Sequence, residues 1–267
     1  MPDADHSRSA LADALADAVR AAGDIALRTF RQPLRQWIKG ESSPVSEADI
    51  AVNDFLRQRL LSIANGYGWL SEETEGDPAR LEAENVWIVD PIDGTRAYLA
   101  GQDDWTVSVA LGMRGRPVLG AIFAPVTQEL FLAVAGSGAR RNGVPIAASP
   151  GRDVAGVKVV GPKRHINWLA GLNANAVVVP RIGSIALRLA RVAQGVLDVA
   201  FAGGNSHDWD LAAADLLVHE AGGALTTLTG DTLTYNGSEL SHGALLAAGQ
   251  DRHAALIELV RHRSELA

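Results

Sequence analysis

The chain has 267 residues, 47% of them hydrophobic, and 24 Lys and Arg stand against 31 Asp and Glu for a net charge of −7. That balance argues against a general binder of nucleic-acid polymers or anionic membranes, and the absence of cysteine excludes disulfides, thiolate nucleophiles and Cys-ligated zinc or iron–sulfur centres. A small anionic ligand stays open, because a metal ion or a few basic residues reverse the field within one cleft.

The N-terminus, M-P-D-A-D-H-S-R, spreads acids through its length and lacks the basic start and apolar run of a signal peptide. Residues 8–30 then carry Leu11, Leu15, Ala18, Val19, Ala22, Ile25 and Ala26 at helical spacing. A second helix is announced by S-P-V-S-E-A-D, with Ser46 and Asp49 as a capping pair and Val52, Phe55, Leu56 and Leu60 along one face. W-I-V at 87–89, W-T-V-S-V-A-L at 105–111, V-L-G-A-I-F-A at 118–124 and E-L-F-L-A-V at 129–134 follow as strands. Their short links predict an antiparallel meander. After N-G-V-P (142–145) and S-P-G-R (149–152) strands and helices alternate: V-K-V-V, A-V-V-V, a helix from about Ser184 to Gln194, L-D-V-A-F, and a helix from about Asp210 to Ala221. The change of pattern predicts an α+β half over 1–150 and a layered α/β half over 151–267. No apolar run is long enough to span a bilayer, and the reading is a soluble, cytoplasmic protein.

Three acidic sites stand out. In D-P-I-D-G-T, Asp90 is expected to end a strand, Pro91 to stop the ladder, Gly94 to turn the backbone sharply and Thr95 to open a helix. Two carboxylates three residues apart suit hard divalent cations; an ordinary turn with Asp93 as a helix cap fits the same residues. The spacing differs from the Asp-x-Asp of haloacid-dehalogenase-type phosphatases, whose acids share one strand face. Glu72 and Glu73 in W-L-S-E-E-T sit where a strand ends, or in a solvated acidic loop. In H-D-W-D-L-A-A-A-D, Asp210 precedes a helix as a metal ligand or as its cap, and His207 reads as a loop histidine.

Taken together, E-E at 72–73, D-P-I-D-G-T at 90–95, W-D-L-A-A-A-D and E-A-G-G within 209–223, S-P-V-S-E-A-D at 43–49 and G-S-I-A-L-R-L-A at 183–190 resemble the inositol monophosphatase superfamily of Mg²⁺-dependent, lithium-sensitive phosphatases. The resemblance covers most of the chain in order. It implies an αβαβα sandwich. It also implies a first metal on Glu72, Asp90 and the Ile92 carbonyl, and a second on Asp90, Asp93 and Asp210. A third, weaker Mg²⁺ would sit near Glu72, Mn²⁺ would substitute, and Li⁺ would inhibit. Asp49, Thr95 and Glu72 would form the catalytic set that orients and deprotonates the attacking water, and Gly94 and Thr95 would present N–H groups to the phosphate. Attack would be in line, without a phosphoenzyme.

Within the superfamily, the run D-P-I-D-G-T-R-A-Y-L-A-G-Q-D-D-W-T-V-S-V-A-L and the K-G-E-S-S-P-V-S segment are most similar to 3′(2′),5′-bisphosphate nucleotidases. Arg96, the G-P-K-R-H loop (Lys163, Arg164, His165) and Ser184 are the expected substrate contacts, the basic loop for a second phosphate or as a merely solvated turn. Inositol-specific members carry a Glu seven residues before the Trp-Asp aspartate, and here Gly203 stands there. H-D-W-D also departs from the nucleotidase form. The expected substrate is 3′-phosphoadenosine 5′-phosphate. Inositol-1-phosphate or another polyol phosphate, histidinol phosphate, and a non-catalytic relative that binds a phosphorylated metabolite are the alternatives. The protein is expected to act as a monomer or homodimer on a small metabolite.

Overall fold

The computed structural model describes residues 2–39, 43–171 and 175–261, with side chains from residue 8 onward except at residue 43. Residues 40–42, part of the K-G-E-S-S-P stretch, lie outside the described residues. In chain order the elements are α1 (Pro2–Thr29), β1 (Gln36–Lys39), β2 (Ser43–Ser46), α2 (Glu47–Ile63) and β3 (Gly68–Ser71). After a 3-10 turn (Pro78–Leu81) come β4 (Asn85–Asp93), α3 (Thr95–Leu99), β5 (Thr106–Met113), β6 (Arg116–Ala124), β7 (Glu129–Val134), β8 (Ala139–Arg141) and β9 (Val144–Pro145). The remainder holds β10 (Lys158–Val160), α4 (Lys163–Ala170), β11 (Val177–Val178), α5 (Ile185–Ala193), β12 (Val199–Ala202) and β13 (Ser206–His207). It closes with α6 (Asp208–Glu220), β14 (Gly223–Thr227), β15 (Ser241–His242), β16 (Leu245–Gly249) and α7 (Gln250–Arg261).

Strands β3 to β9 form one seven-stranded sheet in sequence order, with β3 parallel to β4 and every later neighbour antiparallel. This is the expected meander with one parallel strand added. The second sheet has the order β11-β10-β12-β16-β14, and β16 lies antiparallel to both its neighbours. The pairs β1-β2 and β13-β15 stand apart.

Side-chain alternation explains the layering. Along β4, Trp87 and Val89 join a core shared with α1 and α2, whereas Val86 and Ile88 join a core shared with α5 and α6. A sheet covered on both faces needs apolar residues at every position, which is why W-I-V-type runs show no polar alternation. Helices α5 and α6 also pack on the second sheet, and Trp168, Leu169, Leu256 and Val260 of α4 and α7 cover its far face. The resulting layers are helix, sheet, helix, sheet, helix: the αβαβα sandwich that the motifs implied. Among the described residues no helix is long and apolar enough to cross a membrane.

The middle helix layer sits close. A Cβ at Gly120 on β6 would lie 3.0 Å from the Ala213 carbonyl of α6. Gly120→Val is therefore expected to overpack this contact, cost about 1–3 kcal/mol and lower the melting temperature by roughly 2–12 °C. An unchanged thermal unfolding curve would show that α6 can back away from the sheet.

Candidate active site

Strand β4 continues past Asp90 to Asp93, and Pro91 does not stop it. Asp90 pairs with Ser108 and Asp93 with Thr106, so three steps on β4 match two on β5. One residue is extra: a β-bulge placed where proline has no N–H to give the ladder. The bulge removes one alternation, and two acids that would face opposite sides of a regular strand face the same side. Asp90 is 1% exposed and Asp93 4%, while Ile92 between them enters the core.

Asp210 joins them from α6. Helix α6 starts two residues earlier than expected, so Asp210 is its third residue and not its cap. There it accepts the His207 N–H at 2.7 Å, and the His207 ring stacks on Trp209 with centroids 4.8 Å apart. Carboxylate oxygens of Asp90, Asp93 and Asp210 all lie within 4.8 Å of one another. Glu72, after β3, lines the same cleft. Its main chain is fixed by donation of its N–H to the Val89 carbonyl, 3.2 Å away, and Lys39 donates to its carbonyl.

Asp93 is held by a helix start. It accepts from Ser184 Oγ at 2.5 Å, the Ile185 N–H at 3.1 Å and the Ala186 N–H at 2.6 Å. Ser184 caps α5 by accepting the Leu187 N–H at 2.8 Å, and it is fully buried. Ser184 is thus a support of Asp93 and not a surface that substrate touches. Gly94 has φ 94°, and a Cβ there would sit 3.1 Å from the Ser184 nitrogen, so glycine answers both the left-handed turn and the close approach. Thr95 Oγ1 lies 3.0 Å from the Ile92 carbonyl and 3.2 Å from Asp49 Oδ1. Asp49 accepts from Ser46 N and Oγ at 2.8 and 2.6 Å, the capping interaction that the sequence signalled.

Burial raises the pKa of every acid here. For Glu72, burial followed by Asp210, Glu73 and Asp49 lifts it to about 8. For Asp210, burial and Asp93 lift it to about 7. Asp90 is pushed well up by burial, Glu72 and Asp93. Burial also raises Asp93, Asp49 and Glu73, against the hydrogen bonds that Asp93 and Asp49 accept and against the charge of Lys39 beside Glu73. Asp90 Oδ1 is buried with no hydrogen-bond partner among the described residues. An orphaned carboxylate oxygen, in a set of oxygen donors that repel one another, fits a hard divalent cation.

The other expected contacts divide. Arg96 and Lys163 line the cleft. Lys163 and Arg164 open helix α4 and do not form a loop. His165 is 1% exposed, stacks on Phe201 with centroids 5.2 Å apart and lies 3.1 Å from Arg164 Nε, so it belongs to the core and not to the substrate surface. Arg188, which stands in the G-S-I-A-L-R-L-A motif without a role implied for it, and Arg181, which lies in no motif, also line the cleft. Asp208 also escaped notice. It is fully buried, accepts the Asn236 N–H at 2.6 Å and meets His242 Nε2 at 2.7 Å, anchoring the start of α6.

The sequence profile of the inositol monophosphatase family matches residues 7–265. The inositol-1-monophosphatase of Mesorhizobium japonicum is 35% identical, over 96% of this chain and 97% of that protein. The extragenic suppressor protein suhB of Bartonella henselae superposes with a TM-score of 0.83 at 29% identity, over 94% of this chain and 98% of that one. An inositol monophosphatase from Anabaena superposes with a TM-score of 0.82 at 27% identity, over 97% and 98%. The chain belongs to the inositol monophosphatase family, whose members are phosphoric monoester hydrolases.

Two outcomes test this geometry. Metal-free protein keeps protons on Glu72 and Asp210 up to about 8 and about 7, whereas the unfolded chain loses them near 4.5 and 3.8. The folded state holds more protons between those values, so stability falls as pH rises through them. Buried His253, held down to about 4, acts in the opposite sense only up to its ordinary 6.5. The melting temperature of chelated protein should therefore drop from pH 6.5 to above 8, and Mg²⁺ should raise it most at the upper end. A flat profile would remove the acids from the account. Ser184→Ala should weaken Mg²⁺ activation about 10- to 100-fold, as loss of a ligand's support does, measured as the Mg²⁺ concentration for half-maximal activity.

Proposed function

We propose that the protein is a Mg²⁺-dependent phosphomonoesterase acting on small polyol or sugar phosphates of the inositol-1-phosphate type, by direct in-line attack of water. The observation that carries the chemistry is the set of Asp90, Asp93 and Asp210 with an unsatisfied buried oxygen on Asp90. The substrate class is supported by relatives named inositol-1-monophosphatase that match nearly end to end.

In this reading Glu72, Asp90, the Ile92 carbonyl, Asp93 and Asp210 hold two to three Mg²⁺ ions. Bound there, the ions supply Lewis-acid polarisation of the phosphoryl oxygens and a lowered pKa for water. The residues do the rest. Gly94 and Thr95 turn their N–H groups to the phosphate. Thr95 Oγ1 lies 3.2 Å from Asp49 Oδ1, which makes Asp49 the acceptor for the proton leaving water through the threonine hydroxyl. Burial raises the Asp49 pKa, and so makes it a stronger base than a free aspartate. The new P–O bond forms on one side of phosphorus as the ester P–O bond breaks on the other.

A second reading, the 3′(2′),5′-bisphosphate nucleotidase, is favoured by the basic side chains of Lys163 and Arg181 on the cleft and by Gly203 at the position where inositol-specific members carry a glutamate.

Asp90→Asn should have opposite effects on rate and stability. Turnover should fall by about a thousandfold, roughly 4 kcal/mol of transition-state stabilisation. The metal-free protein should melt higher than the parent at neutral pH, because folding no longer has to bury Asp90 as a charge or with a proton taken up from solvent. Phosphate release and thermal unfolding with and without Mg²⁺ check both. Retained activity sinks the metal assignment, as does complete indifference of the parent enzyme to millimolar Li⁺.

A further inference from the structure

We infer that Ser108 is a positioning residue for Asp90: its buried hydroxyl donates to the charged Asp90 carboxylate and so tightens the hold of the site on a divalent cation. The inference deepens the phosphatase reading and rests on its metal site. Ser108 stands in the W-T-V-S-V-A-L run on β5 and is 1% exposed. Its Oγ is buried with no hydrogen-bond partner among the described residues. An unpaired buried hydroxyl is costly, and a native protein that keeps one calls for an explanation.

Strand register shows what the hydroxyl can reach. Side chains directly opposed across an antiparallel pair share one face, with Cβ atoms about 4.5–5.5 Å apart. Ser108 opposes Asp90 on β4 and Ile122 on β6. Along β5 its neighbours on the same face are Thr106 and Ala110. Ala110 and Ile122 belong to the core shared with α5 and α6, so Ser108 points to the side from which Asp210 approaches. Neither of those two side chains has an acceptor. The Thr106 hydroxyl lies 3.0 Å from Ser184 Oγ, which donates to Asp93. That leaves Asp90, whose Oδ1 is also buried and unpartnered. Every other orphaned buried side-chain atom among the described residues is a nitrogen. The two orphaned oxygens therefore belong to residues that face each other.

A carboxylate offers about four acceptor positions, so one that ligates a cation still has room for a donor. Hydrogen bonds to a charged carboxylate are roughly twice as strong as neutral ones, and they fix the orientation of the ligand. The Ser108 hydroxyl joins Asp90 by turning about one side-chain bond or through one water. Strand β5 then stands behind both acids of β4: Thr106 behind Asp93 through Ser184, and Ser108 behind Asp90. The bulge makes this match possible, because three steps between the acids equal two between Thr106 and Ser108. The two supports differ in one respect. Ser184 bonds Asp93 and also caps α5, so its loss disturbs the fold itself. Ser108 holds nothing but Asp90, so its loss is felt through the cation.

The test measures Mg²⁺ binding to the full chain by titration calorimetry, and thermal unfolding in chelator and in Mg²⁺. Ser108→Ala should melt no lower than the parent in chelator, while its Mg²⁺ dissociation constant rises about 10- to 100-fold. Ser184→Ala is the contrast, and should melt lower in chelator as well. Ser108→Thr and Ser108→Val form a second pair, nearly equal in shape and different in the hydroxyl. The threonine variant should bind Mg²⁺ about tenfold more tightly or better. Equal affinity within this pair overturns the inference. So does a Ser108→Ala protein that binds Mg²⁺ like the parent, or one that loses as much melting temperature in chelator as in Mg²⁺. A parent that shows no Mg²⁺ binding overturns the metal site and the role of Ser108 together. Hydroxyl-dependent Mg²⁺ binding without phosphate release from inositol 1-phosphate or adenosine 3′,5′-bisphosphate overturns the phosphatase reading and leaves Ser108 in its role.

Discussion

Everything in this protein is arranged around mutual repulsion. Three buried carboxylates, Asp90, Asp93 and Asp210, have oxygens within 4.8 Å of one another, and Glu72 and Asp49 add to the same field. At an effective dielectric constant near 20, each ionised pair at that distance is unfavourable by about 3–4 kcal/mol. The starts of α2, α3, α5 and α6 converge on the cluster through Asp49, Thr95, Asp93 and Asp210. Each helix end offsets about 0.3–1 kcal/mol of negative charge, too little even together to hold all the acids ionised. Protons or cations must make up the difference, and bound cations do so at neutral pH while leaving the carboxylates charged.

The layered fold makes that crowding possible. Asp90 and Asp93 sit on a strand buried on both faces, Asp210 on a helix clamped between two sheets, and Asp93 is tied to the start of α5 by three hydrogen bonds. None of these elements can retreat without opening a packed core. Repulsion that would splay acids apart in a loop is here resisted by hydrophobic packing.

The walls around the acids show the complementary problem. Arg181, Arg188 and Lys163 bring positive charge into the cleft without carboxylate partners of their own, apart from the field of Asp93 and Asp104 on Arg188. His165, two residues from Lys163 on the same helix, turns the other way and fills the core beneath it.

By itself the sequence determined the chemistry and the outline of the fold. The acids, their order, the meander, the capping pair of Ser46 and Asp49 and the amphipathic helices are local patterns, readable because periodicity and capping act over a few residues. The acids that the motifs pointed to, Glu72, Asp90, Asp93 and Asp210, line one cleft, with Asp49 and Thr95 joined by a hydrogen bond beside them. What the tertiary structure decided are the features set by long-range pairing. The bulge that turns Asp90 and Asp93 to one side exists only in register with Ser108 and Thr106. Ser184 supports Asp93 only because the start of α5 meets β4, 91 residues away in sequence. Arg188 stands in the G-S-I-A-L-R-L-A motif without a role of its own there and reaches the cleft only through the placement of α5, Arg181 comes from the segment before that helix, and Lys163 and His165 part company because a helix, not a loop, carries them. Local rules name the groups; only packing across the chain decides which way they face.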